Sequence, residues 1–167
     1  ALSTDGQDDY TLINNPLNGK SAFTIEFWIS PHENTVYDGN PSGSYNWNHI
    51  LHDKYVSGSE NGIRLGYQSN NIYLSLYNYQ TNGGVRLQSS PYYLTPAIKE
   101  FSWTHVALTW DMESSKIKFY VNGVLKDEES TSITNPLLFQ GGMYVGAYSD
   151  YEDPTKSFNG LIDELRF

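Results

Sequence analysis

Between Phe101 and Gly123 the chain reads FSWTHVALTWDMESSKIKFYVNG, and apolar side chains fall on every second position. Val106, Leu108 and Trp110 alternate with His105, Ala107, Thr109 and Asp111; beyond a polar break at 111–116, Ile117, Phe119 and Val121 alternate with Lys118, Tyr120 and Asn122. A period of two marks strands with one buried face, so this stretch predicts a β-hairpin. Asn122-Gly123 is a type I′ turn sequence, which returns the chain into a third strand over 124–128.

The same period recurs along the chain. Phe23, Ile25, Phe27 and Ile29 alternate with Thr24, Glu26, Trp28 and Ser30, as in an internal sandwich strand. Ile63, Leu65 and Tyr67 oppose Arg64, Gly66 and Gln68; in the next strand, inward Leu74 and Leu76 put Tyr73, Ser75, Tyr77 and Tyr79 on the other face. Shorter strands are predicted within 1–13 around a turn at Gly6, at 49–55, at 85–88, at Met143–Ala147 and at 160–167. Residues 31–48 have no sustained period, and a loop of that length in a compact domain is usually functional or disordered; Tyr37, Tyr45 and Trp47 within it speak against disorder. No stretch has the period of an amphipathic helix, and no repeat is evident.

Several of these blocks carry a resemblance. WTHVALTWD followed by IKFYVNGVLKD resembles the central signature of laminin-G-like domains of the concanavalin A-like class. The opening ALSTDGQDDYTL, the strand FTIEFWIS and the closing GLIDELRF resemble that family's start, second strand and last strand, in the family's order. The resemblance implies an all-β fold, a two-sheet antiparallel jelly-roll β-sandwich spanning 1–167 as one domain. Members bind sugars, proteins or calcium or act as spacers, so function has to come from the site.

With 167 residues the chain is long enough for one well-cored domain and short for two. Its formal charge of −9 repels phosphate backbones and anionic lipid, which argues against nucleic acid as a partner. There is no cysteine, hence neither disulfides nor thiolate metal sites. No apolar run is long enough for a membrane-spanning helix, and Ala1 opens directly in family-like sequence without a charged n-region and apolar h-region, as expected of an excised or processed module. An Asn-x-Ser/Thr acceptor occurs only in the proline-blocked Asn40-Pro41-Ser42. These features together describe a processed module of a larger secreted or cell-surface protein, of bacterial origin.

Two kinds of chemistry suggest themselves. If Leu161, Leu165 and Phe167 face the core, Asp163 shares their parity, and a buried carboxylate needs a cation or several donors. Calcium takes carboxylate and carbonyl oxygens in loose geometry. The resemblance implies that calcium sites are common in related jelly rolls and that the last strand lies beside the first, which carries the expectation onto Asp5, Asp8 and Asp163. The plainer alternative is that Asp163 accepts backbone N–H bonds and the 5–9 run caps a turn. Asp150, Glu152 and Asp153 form a second acidic cluster, read either as a rim calcium site or as a solvated loop.

The aromatic residues, 15% of the chain, point to a saccharide. Sugar rings offer apolar C–H faces to planar side chains while their hydroxyls need polar partners. Tyr73, Tyr77 and Tyr79 beside Arg64 and Gln68 supply that mixture, as do Tyr45 and Trp47 on the long loop; alternatively the stripe is a minor core beneath that loop. Trp28, Trp103 and Trp110 are read as core. His49 and His52, three apart on a strand, are expected on opposite faces. A glycosidase needs two carboxylates across a cleft, and Glu26 stands alone on its strand. The expected role is therefore a non-catalytic carbohydrate-binding module with a structural calcium, acting on a polysaccharide or glycan. Its alternatives are a protein-binding or structural adhesion module and, further off, a glycoside hydrolase or lyase.

Overall fold

A computed structural model describes residues 1–6, 9–32, 48–53, 61–68, 71–78, 84–85, 98–148 and 157–167. Among these there is no helix, and the strands are β1 (Leu2–Asp5), β2 (Thr11–Ile13), β3 (Ala22–Pro31), β4 (Asn48–Asp53), β5 (Asn61–Gln68), β6 (Asn71–Asn78), β7 (Gly84–Val85), β8 (Thr104–Asp111), β9 (Lys116–Val121), β10 (Val124–Ser130), β11 (Met143–Val145) and β12 (Asn159–Arg166). They form two antiparallel six-stranded sheets. The first runs β1-β12-β3-β8-β9-β10 and the second β2-β11-β4-β5-β6-β7. This is the jelly-roll sandwich that the resemblance implies, built from the half-buried strands that the alternation predicts, with β1 and β12 adjacent.

The alternating apolar residues of both sheets meet in one core. Ile25, Phe27, Ile29, Val106, Leu108, Trp110, Ile117, Phe119 and Val121 come from the first sheet, and Ile63, Leu65, Tyr67, Leu74 and Leu76 from the second. Trp110 anchors it. Its ring packs on Phe23 at 5.7 Å, and its indole N–H donates to Thr131 Oγ1 at 3.1 Å, which removes the cost of burying that donor. Burial, with Glu100 as a lesser influence, pushes the Tyr67 phenol up to about 12, so it stays a donor toward the Ile98 carbonyl.

The central hairpin folds as its sequence demands. Asn122 and Gly123 have φ of 50° and 75°, the paired positive values of a type I′ turn. Asn122 also clips the hairpin to β8, its Oδ1 accepting the His105 N–H at 2.9 Å. At the other end Asp111 accepts the N–H groups of Glu113 and Ser114, and these bonds, together with the Ser114 hydroxyl, lower its pKa.

Two departures from simple alternation matter for function. In β4 the register slips between His49 and Leu51: His49 pairs with Gly66 and Leu51 with Leu65, leaving Ile50 as the extra residue of a β-bulge. The Ile50 carbonyl accepts the Gly146 N–H at 2.9 Å, so the bulge is satisfied from the chain just beyond β11. In β12 the inward residue is Ile162, and the register slips between Asp163 and Arg166. Asp163 therefore lies on the outward face with its side chain 47% exposed, against its expected core parity.

Candidate functional site

The strand registers of the second sheet assemble the site on the face turned away from the core. Across β11, β4, β5 and β6, one row runs Tyr144, His52, Arg64, Ser75; the next runs His49, Gly66, Tyr73. Arg64 and Tyr73 thus share the face assigned to them by alternation. Gly66, with no side chain, separates His49 from Tyr73, leaving bare backbone between two rings on strands roughly 9–10 Å apart.

His49 and His52 are on this same face, against the expectation from their spacing. A strand spacing of three separates two residues to opposite faces only while the period of two holds, and the extra residue Ile50 breaks it. Their rings meet edge to face at 5.3 Å, and both lie against Tyr148, at 4.8 Å for His49 and 4.5 Å for His52. The Arg64 guanidinium carbon stands 5.7 Å from the Tyr148 ring centroid, within cation–π range. The signal in the sequence was the adjacent pair Ile50-Leu51, two apolar residues where alternation allows one, flanked by the two histidines.

The two imidazoles of this cluster are buried although they lie outside the sandwich core, while Arg64 and Tyr148 beside them are partly exposed. His49 is 1% and His52 5% exposed, and Ser75 and Tyr144 are buried as well. Burial, with the Arg64 charge as a second cause, pulls the His52 pKa from 6.5 down to about 3, so the imidazole is neutral near pH 7, with one nitrogen a donor and the other an acceptor. Among the described residues neither nitrogen has a hydrogen-bond partner. A buried polar ring without partners costs free energy, on the order of 1–3 kcal/mol, and such groups gather where a ligand completes the bonding.

The other expected residues divide. The side chains of Gln68 and Tyr77, and all of Tyr45, Trp47, Tyr79 and Asp8, lie outside the described residues, as does the 150–153 cluster. Tyr73 is half-buried. Asp5 pairs with Asn159, four residues along β12 from Asp163, a separation of about 13 Å, so these two carboxylates do not share an ion. Asp163 instead accepts the Glu164 N–H at 2.9 Å and lies 3.4 Å from the Ala1 ammonium, while at the end of β1 the carboxylate of Asp9 accepts the Asp5 backbone N–H at 3.1 Å. Among the described residues no three acidic or histidine side chains converge as a metal site.

Of the tryptophans expected in the core, only Trp110 is there. Trp28 is 38% and Trp103 45% exposed, because Trp28 has the parity of Glu26 rather than of Phe27 and Ile29. Trp47 falls outside the described residues.

Known structures share this fold at low identity. The mouse laminin α1 chain, domains LG4-5, matches with a TM-score of 0.68 and 12% identity over 97% of this chain, which spans 40% of that one. Domain 4 of AbnA, a GH43 extracellular arabinanase from Geobacillus stearothermophilus in complex with arabinotriose, matches with a TM-score of 0.64 and 19% identity over 98% of this chain and 67% of that one. The CBM40 of Ruminococcus gnavus IT-sialidase bound to α2,3 sialyllactose matches with a TM-score of 0.54 and 13% identity over 87% and 71%. No curated protein matches at the sequence level. Residues 5–167 match the family Laminin_G_3, so the two sheets, their order and the sequence blocks agree: the chain belongs to the Concanavalin A-like lectin/glucanases superfamily as a laminin-G-like domain.

Proposed function

We propose that this chain is a non-catalytic carbohydrate-binding module, part of a larger secreted or cell-surface protein, and that it binds a saccharide on the outward face of the second sheet. The observation that carries the proposal is His52: a neutral imidazole buried to 5% exposure, without a hydrogen bond among the described residues, set among Tyr148, His49 and Arg64. A sugar supplies what the cluster lacks. Its hydroxyls donate to and accept from the imidazole, its apolar face lies against Tyr73 or Tyr148, and Arg64 donates to ring or carboxylate oxygens. Two similar structures contain bound saccharides, arabinotriose and α2,3 sialyllactose, which supports the class of ligand.

Turnover is not part of the proposal. The described side chains of this face are imidazoles, a guanidinium, phenols and a hydroxyl, whereas glycoside hydrolysis uses two carboxyl groups flanking the scissile bond. A saccharide module acts instead by raising the local concentration of its parent protein on a glycan.

Titration calorimetry against arabinotriose, 3′-sialyllactose and linear oligosaccharides of glucose, xylose and galactose tests this reading. Binding to one of them, weakened at least ten-fold by Arg64→Ala or His52→Ala, is expected, a loss of about 1.4 kcal/mol or more. Absence of heat with every sugar, or binding indifferent to both substitutions, contradicts it and favours the protein-binding adhesion module.

Calcium belongs to the proposal at the turn after β1, on Asp5 and Asp8, with Asp163 excluded by register. An ion bound only by the folded chain stabilises it by about 2.7 kcal/mol at a hundred times its dissociation constant. Thermal melting with millimolar calcium against chelator should show that rise; identical melting curves remove calcium from the account.

A further inference from the structure

The first sheet also has an outward face, and it is built differently. One row places Trp28 between Asp163 on β12 and His105 on β8; the next runs Arg166, Glu26, Ala107, Tyr120. The Trp28 and His105 rings are in contact, their centroids 5.2 Å apart. Ala107 is the diagonal neighbour of Trp28 across the β3–β8 pair. Trp103, 45% exposed, immediately precedes β8.

Exposed tryptophans on a regular strand are unusual, since each leaves a large apolar ring in water. Here the rings are surrounded by groups suited to hydroxyls. The carboxylate of Asp163 and the imidazole of His105 flank Trp28, and the β12 bulge, where Glu164 takes a φ of 50°, brings Arg166 beside Glu26.

The side-chain cations of this face are all paired. Arg166 pairs with Glu26 at 3.3 Å and Glu164 at 3.0 Å, while Lys116 and Lys118 hold Glu128 at 3.2 and 3.3 Å and lower its pKa. With Asp163, which lies 3.4 Å from the Ala1 ammonium, and Asp111 opposite Lys116, carboxylates outnumber side-chain cations here, as they do on the whole chain at −9. An anionic polymer is repelled by such a face, whereas a neutral, hydroxyl-rich one meets no repulsion.

We propose that the outward face of the first sheet is a second binding site, for a neutral polysaccharide chain that stacks on Trp28 and Trp103 with its hydroxyls bonded to Asp163 and His105. The face is an open platform, without the buried imidazole pair of the other sheet. It therefore suits the interior of a long chain, where the first site suits a short unit.

Affinity electrophoresis of the whole chain through gels containing mixed-linkage β-glucan, galactomannan, linear arabinan or polygalacturonate separates the possibilities. Retardation of the His52→Ala protein, whose first site is impaired, on at least one neutral polymer is expected, reduced ten-fold or more when Trp28→Ala or Trp103→Ala is added. Unchanged melting temperatures verify that the exposed-ring variants fold. The proposal is overturned if no neutral polymer retards the protein, if only polygalacturonate does, or if retardation ignores both tryptophans. Loss of retardation in His52→Ala alone leaves the first site standing and removes this one. A concentration-dependent dimer in sedimentation that Trp28→Ala dissociates overturns it in favour of a second copy as the occupant.

Discussion

The two outward faces of the sandwich are made from the same element, an antiparallel sheet, yet one buries a pair of imidazoles while the other carries an exposed indole among surface ion pairs. On the second sheet His52 is 5% exposed and lacks partners among the described residues; on the first, Trp28 is 38% exposed with its neighbours' charges paired. The difference lies in where each sheet breaks its ladder. The β4 bulge gathers two histidines onto one spot, whereas β3 and β8 run in unbroken register for eight pairs and present their polar positions as an even surface. A bulge concentrates chemistry, and a regular ladder spreads it.

The largest effect expected from that contrast is on acid stability. Between pH 6.5 and about 3 the unfolded chain protonates His52 while the folded chain does not, so stability is whole above pH 6.5 and declines as pH falls toward 3. The full decline from this one group is on the order of 5 kcal/mol. Urea midpoints at pH 7, 5 and 4 should fall steeply in the wild type and distinctly less in His52→Asn. Parallel slopes would mean that the ring is not held neutral by the fold.

Next comes the support of the bulge. Gly146 has a φ of 95°, and a Cβ there would come 2.9 Å from Thr4 Cγ2 and 3.2 Å from the Asp9 carbonyl oxygen. Gly146→Ala should cost about 1–3 kcal/mol and, by shifting the donor to the Ile50 carbonyl, weaken saccharide binding as well. Retained stability with lost binding, or the reverse, would separate the bulge from the site.

Smaller still is the effect of Tyr73→Ala, a loss of stacking worth roughly 1 kcal/mol of affinity. It is read in the same calorimetry with no expected change in melting. The smallest is Trp28→Ala, within about 0.5 kcal/mol of wild-type stability as for other surface changes, against about 3–5 kcal/mol for the buried Trp110→Ala. Similar losses for the two would show that both faces are core.

The fold was legible because most of its strands keep the period of two. Ile25, Phe27, Val106, Leu108, Ile117 and Phe119 alternate without interruption, and Asn122-Gly123 specifies its own turn. Arg64 and Tyr73 were legible for the same reason. Where the ladder slips the reading failed: parity misplaced His49 relative to His52 across Ile50, and set Asp163 inward when Ile162 holds that place. Trp28 failed differently, since its parity already pointed outward and the general preference of tryptophan for burial overrode it. Exposure of one ring follows from which neighbour lies over it, and alternation along a strand carries no such information.

The chain's four histidines report on both faces at once: His49 and His52 belong to the second sheet, His105 touches Trp28 on the first, and His32 stacks on Phe101 nearby. A two-dimensional spectrum of ¹⁵N-histidine-labelled protein, titrated with arabinotriose and with 3′-sialyllactose, should shift the ring nitrogens of His52 and His49 to saturation and leave His105 in place. Shifts confined to His105 and His32, or none with either sugar at millimolar concentration, would contradict a saccharide site around His52.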